Sequence, residues 1–496
     1  MSTMTQRIDP TRSLVQAGIA RVDITPTVGI YHRMWGAATH DRSTGVHRPL
    51  TATALVLAPL DGTEEDRGAP QVAIAIDHCL LWAAEMETLI SAVAASAEVD
   101  ASAIRVYFSH THGAGLMGLE RRDLPGGDLI PSYLDELATK AATAVRQAIA
   151  QGQPATITYA LGRCGLATNR DYLDPATNRY VCGFNPDGTA DGTLLIGRIT
   201  GRSGVCLGTI LNYACHPTTL AWDNTLISPD YVGAAREVLE TETNSPCFFI
   251  QGASGDVGPR HGFVGDCEVA DANGRQLGHA ALAALTGMLP PDRAFRYAGP
   301  VVSGATIGTW VCEPLDEAAD QRDAVFGSAI CNVELPLRDD LPDRDELLAE
   351  QQAWQAKQQA ANEAGDASGA ADCRAMVERA TRRLVRVGHL PQGDTFPYQV
   401  RIWRMGNVIW VPLNGEHYNV LQTELRRRFP DLTLVIATIV NGSEVWYLPD
   451  ANSYGKGLYQ EEASILARGS LELLIEALTG TIRQLVTAPA GDAASA

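Results

Sequence analysis

The stretch Ile104-Arg-Val-Tyr-Phe-Ser-His-Thr-His-Gly113 sets a short apolar run against two histidines and a glycine. The run reads as a buried strand, with His110 just beyond its end. Three further metal-capable residues repeat that placement. His216 follows Thr209-Ile-Leu-Asn-Tyr-Ala-Cys215, Glu416 follows Val408-Ile-Trp-Val-Pro-Leu413, and Tyr447 lies past Leu434-Val-Ile-Ala-Thr-Ile-Val440. Strand ends are where a rigid sheet delivers side chains from distant parts of a chain to one point. The pattern predicts one zinc ion held by four segments.

Outward from these words, Val72-Ala-Ile-Ala-Ile76, 205–211 and 247–250 read as further buried strands. A helix is predicted from a capping-box-like start at Ser132 and Asp135, because Leu134, Leu137, Ala141, Val145, Ala148 and Ile149 recur at helical spacing before Gly152. Further helices are expected over 230–242, 271–287, 417–428 and 461–485. The fold class is therefore α/β, with mixed sheets flanked by helices. Residues 343–385, rich in Ala, Gln, Glu and Arg and interrupted by Gly365-Asp-Ala-Ser-Gly369, read as an inserted helical hairpin. Such a hairpin covers the site, forms an interface or is a solvated excursion. The dispersed site argues for a single catalytic unit over 15–487, with a flexible N-terminus at 1–14 and a frayed tail at 488–496.

Composition narrows the function classes. The chain is 45% hydrophobic and 20% charged, enough to bury a large core. A net charge of −19 argues against nucleic-acid partners and against stable membrane association. The N-terminal residues have no apolar core of a signal peptide, and no run approaches the roughly 18 apolar residues that span a bilayer. A cytoplasmic location is expected. The 10 cysteines show no CxxC framework, which fits reduced thiols. The expected partner is a small-molecule substrate, and self-association into a homo-oligomer stays open.

In an extended turn His110 and His112 project from the same side, and Gly113-Ala-Gly115 lets backbone approach a ligand. His216 is held at a rigid strand exit by Pro217; the alternative is a satisfied core histidine. Glu416 adds the anionic donor, with the adjacent His417 as the alternative if the loop register slips by one. Tyr447 is either an unusual fourth ligand or an aromatic packing residue. Two imidazoles and a carboxylate form a donor set that leaves zinc a hydrolytic position.

The words Gly18-Ile-Ala-Arg-Val-Asp-Ile-Thr-Pro26, Ser109-His-Thr-His-Gly113, Asn212-Tyr-Ala-Cys-His216, Gly252-Ala-Ser-Gly-Asp-Val-Gly-Pro259, Asn414-Gly-Glu416 and Asn441-Gly-Ser-Glu-Val-Trp-Tyr447 occur in the order seen in the neutral/alkaline non-lysosomal ceramidase family, which the chain resembles over nearly its whole length. The resemblance implies a neutral-ceramidase-like catalytic domain with zinc on His110, His216, Glu416 and Tyr447. It makes His112 the hydrogen-bonding or proton-transfer partner, and Arg170 and Tyr459 the residues that bond the scissile carbonyl or the product carboxylate. Asp23, Asp77, His78, Asp230 and Asp256 lie in or near such words and are expected to support the ligands or shape loops. Two departures stand out. Family members carry a nucleophilic serine in Gly-Asp-Val-Ser-Pro where this chain has Gly258, and the C-terminal immunoglobulin-like module of the family has no counterpart after the Tyr447 segment. Ser254 is the only nearby hydroxyl in that word, and it needs a different loop geometry to serve. The expected activity is zinc-dependent hydrolysis of an N-acyl amide by metal-bound water, with ester or lactone hydrolysis as the alternative. An alternative of another class is a catalytically silent, zinc-containing metabolite-binding protein.

Overall fold

The computed structural model describes residues 6–60 and 70–487, so the frayed tail expected at 488–496 lies outside the described residues. Eight strands form the main sheet in the order Cys247–Gln251, Cys206–Tyr213, Thr193–Gly201, Gln153–Arg163, Thr11–Asp23, Thr51–Ala58, Gln71–Ile76 and Ile104–Phe108. The pair at each edge is parallel and the interior is antiparallel. Although the edge strands stand at opposite ends of this order, the rings of Tyr107 and Phe248 lie 5.6 Å apart. The right-handed twist that every strand carries accumulates here until the sheet curls toward closure.

A second sheet, in the order Phe326–Pro336, Thr395–Met405, Val408–Pro412 and Thr433–Ala437, packs on the first. Trp403, Met405, Trp410 and Val435 interdigitate with Val15, Ile19, Leu55, Tyr107 and Phe248 in one buried cluster between the sheets. On the other face of the main sheet lie Ala83–Ala97 and Ile130–Ala150 at one end and Tyr231–Thr243 and Cys267–Thr286 at the other. The outer face of the small sheet is covered by Val420–Arg428 and Ser470–Thr487. The layers thus run helix, sheet, sheet, helix, an α/β architecture of mixed sheets flanked by helices. Strands buried on both faces have no polar side to show, which is why 72–76 and 247–250 carry continuous apolar runs and 104–108 one broken only by Arg105.

Several boundaries differ from expectation. Residues 7–8 and 11–14 are paired where a flexible N-terminus was expected: Arg7 and Ile8 lie opposite Arg296 and Phe295, and Thr11 opposite Tyr159. Arg12 explains this, because its buried guanidinium bonds Asp323 at 2.7 Å and the Pro291 carbonyl at 3.0 Å. Ser132 is not a cap; the helix starts at Ile130 with Pro131 in its first turn, and the Ser132 hydroxyl donates back to Leu129 O. The expected helix 417–428 begins only at Val420, because Glu416–His417 pairs with Tyr447–Leu448. The expected helix 461–485 is broken into Tyr459–Ala463 and Ser470–Thr487, where Leu466 bridges Leu337 and Gly469 takes φ +94°. Residues 343–385 fold as Arg344–Glu363 and Ala367–Gly388, joined at Gly365 with φ +73°.

The interface between the sheets buries Tyr107, Tyr159, Phe248, Trp403 and Trp410. Trp410, fully buried there, is expected on replacement by alanine to cost about 3–5 kcal/mol, the usual range for emptying a core aromatic site. Urea unfolding followed by intrinsic fluorescence and circular dichroism measures it.

Candidate active site

The curled sheet brings His110 and His216 together from near its two edges. His110 leaves its strand at φ +65°, a left-handed conformation costly for a side chain with a Cβ, and its N–H bonds His78 O at 2.9 Å. His216 leaves the strand Cys206–Tyr213, and its N–H bonds Val257 O at 3.1 Å. Glu416 and Tyr447 sit directly opposite each other in a short parallel pair beyond the small sheet, so both reach the same region. Gly415 at φ +98° and Trp446 at φ +57° turn the backbone into that pair.

The ring tautomers follow from the partners. The Nδ1–H of His110 donates to Cys79 O at 2.8 Å, and that of His216 donates to Ser254 O at 3.2 Å. Carbonyls only accept, so in the neutral rings both Nε2 atoms carry lone pairs. Those Nε2 atoms face each other at 3.0 Å, and Glu416 Oε2 lies 3.4 Å from one and 3.7 Å from the other. Glu416 Oε2 is buried and makes no well-formed hydrogen bond of its own. With both rings neutral, three electron-pair donors converge, an arrangement that a cation relieves. Among the described residues a second group, Cys79, His110 and His112, also gathers donor atoms, but it shares His110 and uses the nitrogen already bonded to Cys79 O.

Burial disfavours charge on His216, and Arg170, His110 and His112 push the same way, so its pKa falls well below the ordinary value. Burial and the charge of His110 and Arg170 likewise keep His112 neutral. For His110 burial is outweighed by its neighbours, Cys79 and Glu416 among them, and the pKa rises. The Glu416 carboxyl is held low despite burial, first by His110, then by Tyr447 and Arg170. Burial and the Glu416 charge push the Tyr447 phenol well up, while Arg170 opposes them. Arg170 is itself buried; its Nε and Nη2 donate to Gly255 O at 3.1 and 2.7 Å, and Nη2 also donates to the Tyr447 hydroxyl at 3.1 Å.

A cavity of about 350 Å³ opens beside this group, lined by His112, Arg170, His216, Tyr447 and Tyr459 together with Met34, Trp35, Thr218, Trp222, Phe263, Cys182 and Arg382. His112 sits at its wall against Trp35, with ring centroids 5.2 Å apart, and Tyr459, 47% exposed, lines the cavity too. Sequence reasoning missed the aromatic wall, which comes from loops without periodicity, and missed Arg382, one of many arginines on an exposed-looking helix. His417 turns away and packs against Tyr398, leaving Glu416 as the residue facing the histidines. A methyl group built on Gly258 would meet Thr218, Arg170 and His216 at 3.7–3.9 Å, ordinary van der Waals contact, so a side-chain Cβ fits there without a clash. Ser254 lines a different surface: its buried hydroxyl accepts from Gln251 Nε2 at 2.7 Å.

Of the two roles expected for the acids, supporting the ligands or shaping loops, their contacts are those of loop shaping. Asp77 holds Arg236 through two bonds of 2.9 and 2.7 Å, Asp230 caps Tyr231–Thr243 and accepts from Leu220 N, Asp256 accepts from Asn419 N, and Asp23 accepts from Thr25 N. His78 bonds the Tyr133 hydroxyl. The acceptors behind both imidazoles are backbone carbonyls, which no sequence pattern reveals.

No family model matches the chain, and no curated protein sequence matches it. Among solved structures the fold is similar to the neutral ceramidase of Pseudomonas aeruginosa, with 14% identity and a TM-score of 0.62 over 96% of this chain and 75% of that one. It is equally similar to a ceramidase complexed with C2, with 14% identity and a TM-score of 0.63 over 98% of this chain and 78% of that one. At such identity the likeness is one of architecture: this chain has a neutral-ceramidase-like α/β fold.

Proposed function

We propose that this protein is a zinc-dependent hydrolase that cleaves amide bonds of small, water-soluble substrates. The observation that carries the reading is the convergence of His110 Nε2, His216 Nε2 and the unpartnered Glu416 Oε2 beside a cavity with an aromatic wall. These three donors, with the Tyr447 phenol, would hold the ion; nitrogen and carboxylate oxygen suit zinc. Zinc bound there supplies polarisation of a carbonyl and a water acidic enough to attack near neutral pH. The amide specificity rests on the N-acyl chemistry that the sequence resemblance implies.

His112 is the proton carrier in this reading. Its Nδ1–H donates to His110 O at 3.0 Å, which leaves Nε2 as the basic nitrogen of a ring kept neutral by burial. That nitrogen takes a proton as the carbonyl is attacked and returns it to the leaving amine. Arg170 has committed Nε and Nη2 to Gly255 and Tyr447, so Nη1 is the donor left for a substrate oxygen, and the Tyr459 hydroxyl is the second. Arg170 also places positive charge beside Tyr447, which favours the phenolate that ligation requires. Attack by water needs no side-chain nucleophile, in keeping with glycine at 258.

Three outcomes test the proposal. Purified protein carries about one zinc per chain, and His110→Ala and His216→Ala each lose most of it; undiminished zinc in His110→Ala by elemental analysis would overturn the ligand assignment. Ser254→Ala keeps turnover of an N-acyl substrate within roughly threefold of the parent, whereas loss of a true nucleophile costs several orders of magnitude. Long-chain ceramide is cleaved negligibly beside a small soluble amide, because a cavity of about 350 Å³ sits near the lower limit for binding sites. Sphingosine release in detergent with zinc supplied measures this, and efficient release would sink it.

A further inference from the structure

Helix Ala367–Gly388 of the inserted hairpin carries five arginines, and their partners differ in a telling way. Arg374 pairs with Asp41, Arg379 with Glu462, and Arg383 with Glu350. Arg386 lies over the Trp446 ring and donates to Glu462 O. Arg382 has no carboxylate within ion-pair distance among the described residues. Its Nη2 donates to Met34 O, its Nε is buried without a hydrogen-bond partner, and its side chain lines the cavity beside His112 and Arg170. The lining contains two arginines and no aspartate or glutamate, on a chain whose net charge is −19. A half-buried guanidinium without a counter-ion is costly in the free protein and well placed for an anion that arrives with the substrate.

Resting on the amidase reading of the same cavity, we propose that Arg382 selects substrates bearing a carboxylate next to the scissile amide, that is, N-acyl amino acids. Trp35, Trp222 and Phe263 receive the apolar or aromatic arm. Trp35 meets the other two edge to face, with centroids 6.2 and 5.7 Å away, so the three form a slot with flat and edge surfaces rather than a featureless wall. Arg170 is mostly committed to Gly255 and Tyr447, which leaves Arg382, with Nη1 free among the described residues and Nη2 giving one of its hydrogens to Met34 O, as the residue with N–H groups to offer a carboxylate. The inserted hairpin is then part of the binding site, its second helix supplying the specificity element.

The test uses zinc-loaded full-length protein, N-acetyl-L-phenylalanine and its carboxamide, with binding followed by tryptophan fluorescence and hydrolysis by amine release. The carboxylate is expected to bind at least about tenfold more tightly than the carboxamide, and Arg382→Gln to bring the two within about twofold, with zinc content unchanged. Arg382→Lys should restore part of the preference, since it returns the charge without the fork. A carboxylate that merely reached the metal ligands would bind Arg382→Gln as well as the parent, which would overturn the proposal, as would equal affinity of the parent for both probes or tighter binding of inorganic phosphate. A purely structural Arg382 would lower Tm in the variant and leave the ratio of affinities unmoved. Should Arg382→Gln fail to fold, the ratio in the parent and in Arg382→Lys decides. Failure here with continued turnover of the neutral amide leaves the hydrolase reading standing; absence of zinc and of all turnover counts against that reading instead.

Discussion

A sheet that curls leaves two edges, and each edge presents unpaired backbone groups that must find partners. One segment of the second sheet supplies partners to both. Thr438 N donates to Gln251 O on one edge strand, while Asn441 N donates to Val106 O and its side chain accepts from Val106 N on the other. Asn212 ties the same region to Ile436 O. The strand that precedes this segment and the Glu416–Tyr447 pair that flanks it are thereby locked against the ends that carry His110 and His216. The site is a consequence of how the edges are closed, and its precision is inherited from the packed layers around it.

How far the sequence speaks depends on the kind of signal. Short apolar runs are strong indicators of covered strands, so 104–108 was readable to the residue even with Arg105 inside it. Helix ends were weaker. Ser132 carries a capping pattern, yet Pro131 is already inside the helix, and the break after Ala463 reflects a tertiary bridge to Leu337 that no local pattern announces. In the site, histidines after strand ends were legible because strand exits are where side chains converge. The carbonyls of Cys79 and Ser254 that fix their tautomers were not, since every residue has a carbonyl. Asp77 and Asp230 were legible as important, but the sequence left open whether they support ligands or shape loops, because a buried carboxylate supports an arginine or a helix start as readily as an imidazole.

Gly258 changes what the site can be. A serine there would have put a hydroxyl into the wall next to His216 and Arg170. With glycine the wall is backbone, and the neighbouring Ser254 is turned into the interior by Gln251. In the proposed reading, chemistry at this centre rests on what the donors hold and on a proton carried by His112, while selectivity falls to the loops and to the inserted helix.

The bond between Val106 and Asn441 joins residues 335 apart in sequence. During synthesis, the apolar strand 104–108 leaves the ribosome long before the segment that will cover its open edge exists. Contacts of such separation form late and slowly, and an uncovered edge is a template for pairing with another chain. The nascent protein thus spends most of its elongation with the future site half built and its most adhesive strand exposed, so its yield in a cell should depend on chaperone capacity more steeply than its final stability would indicate.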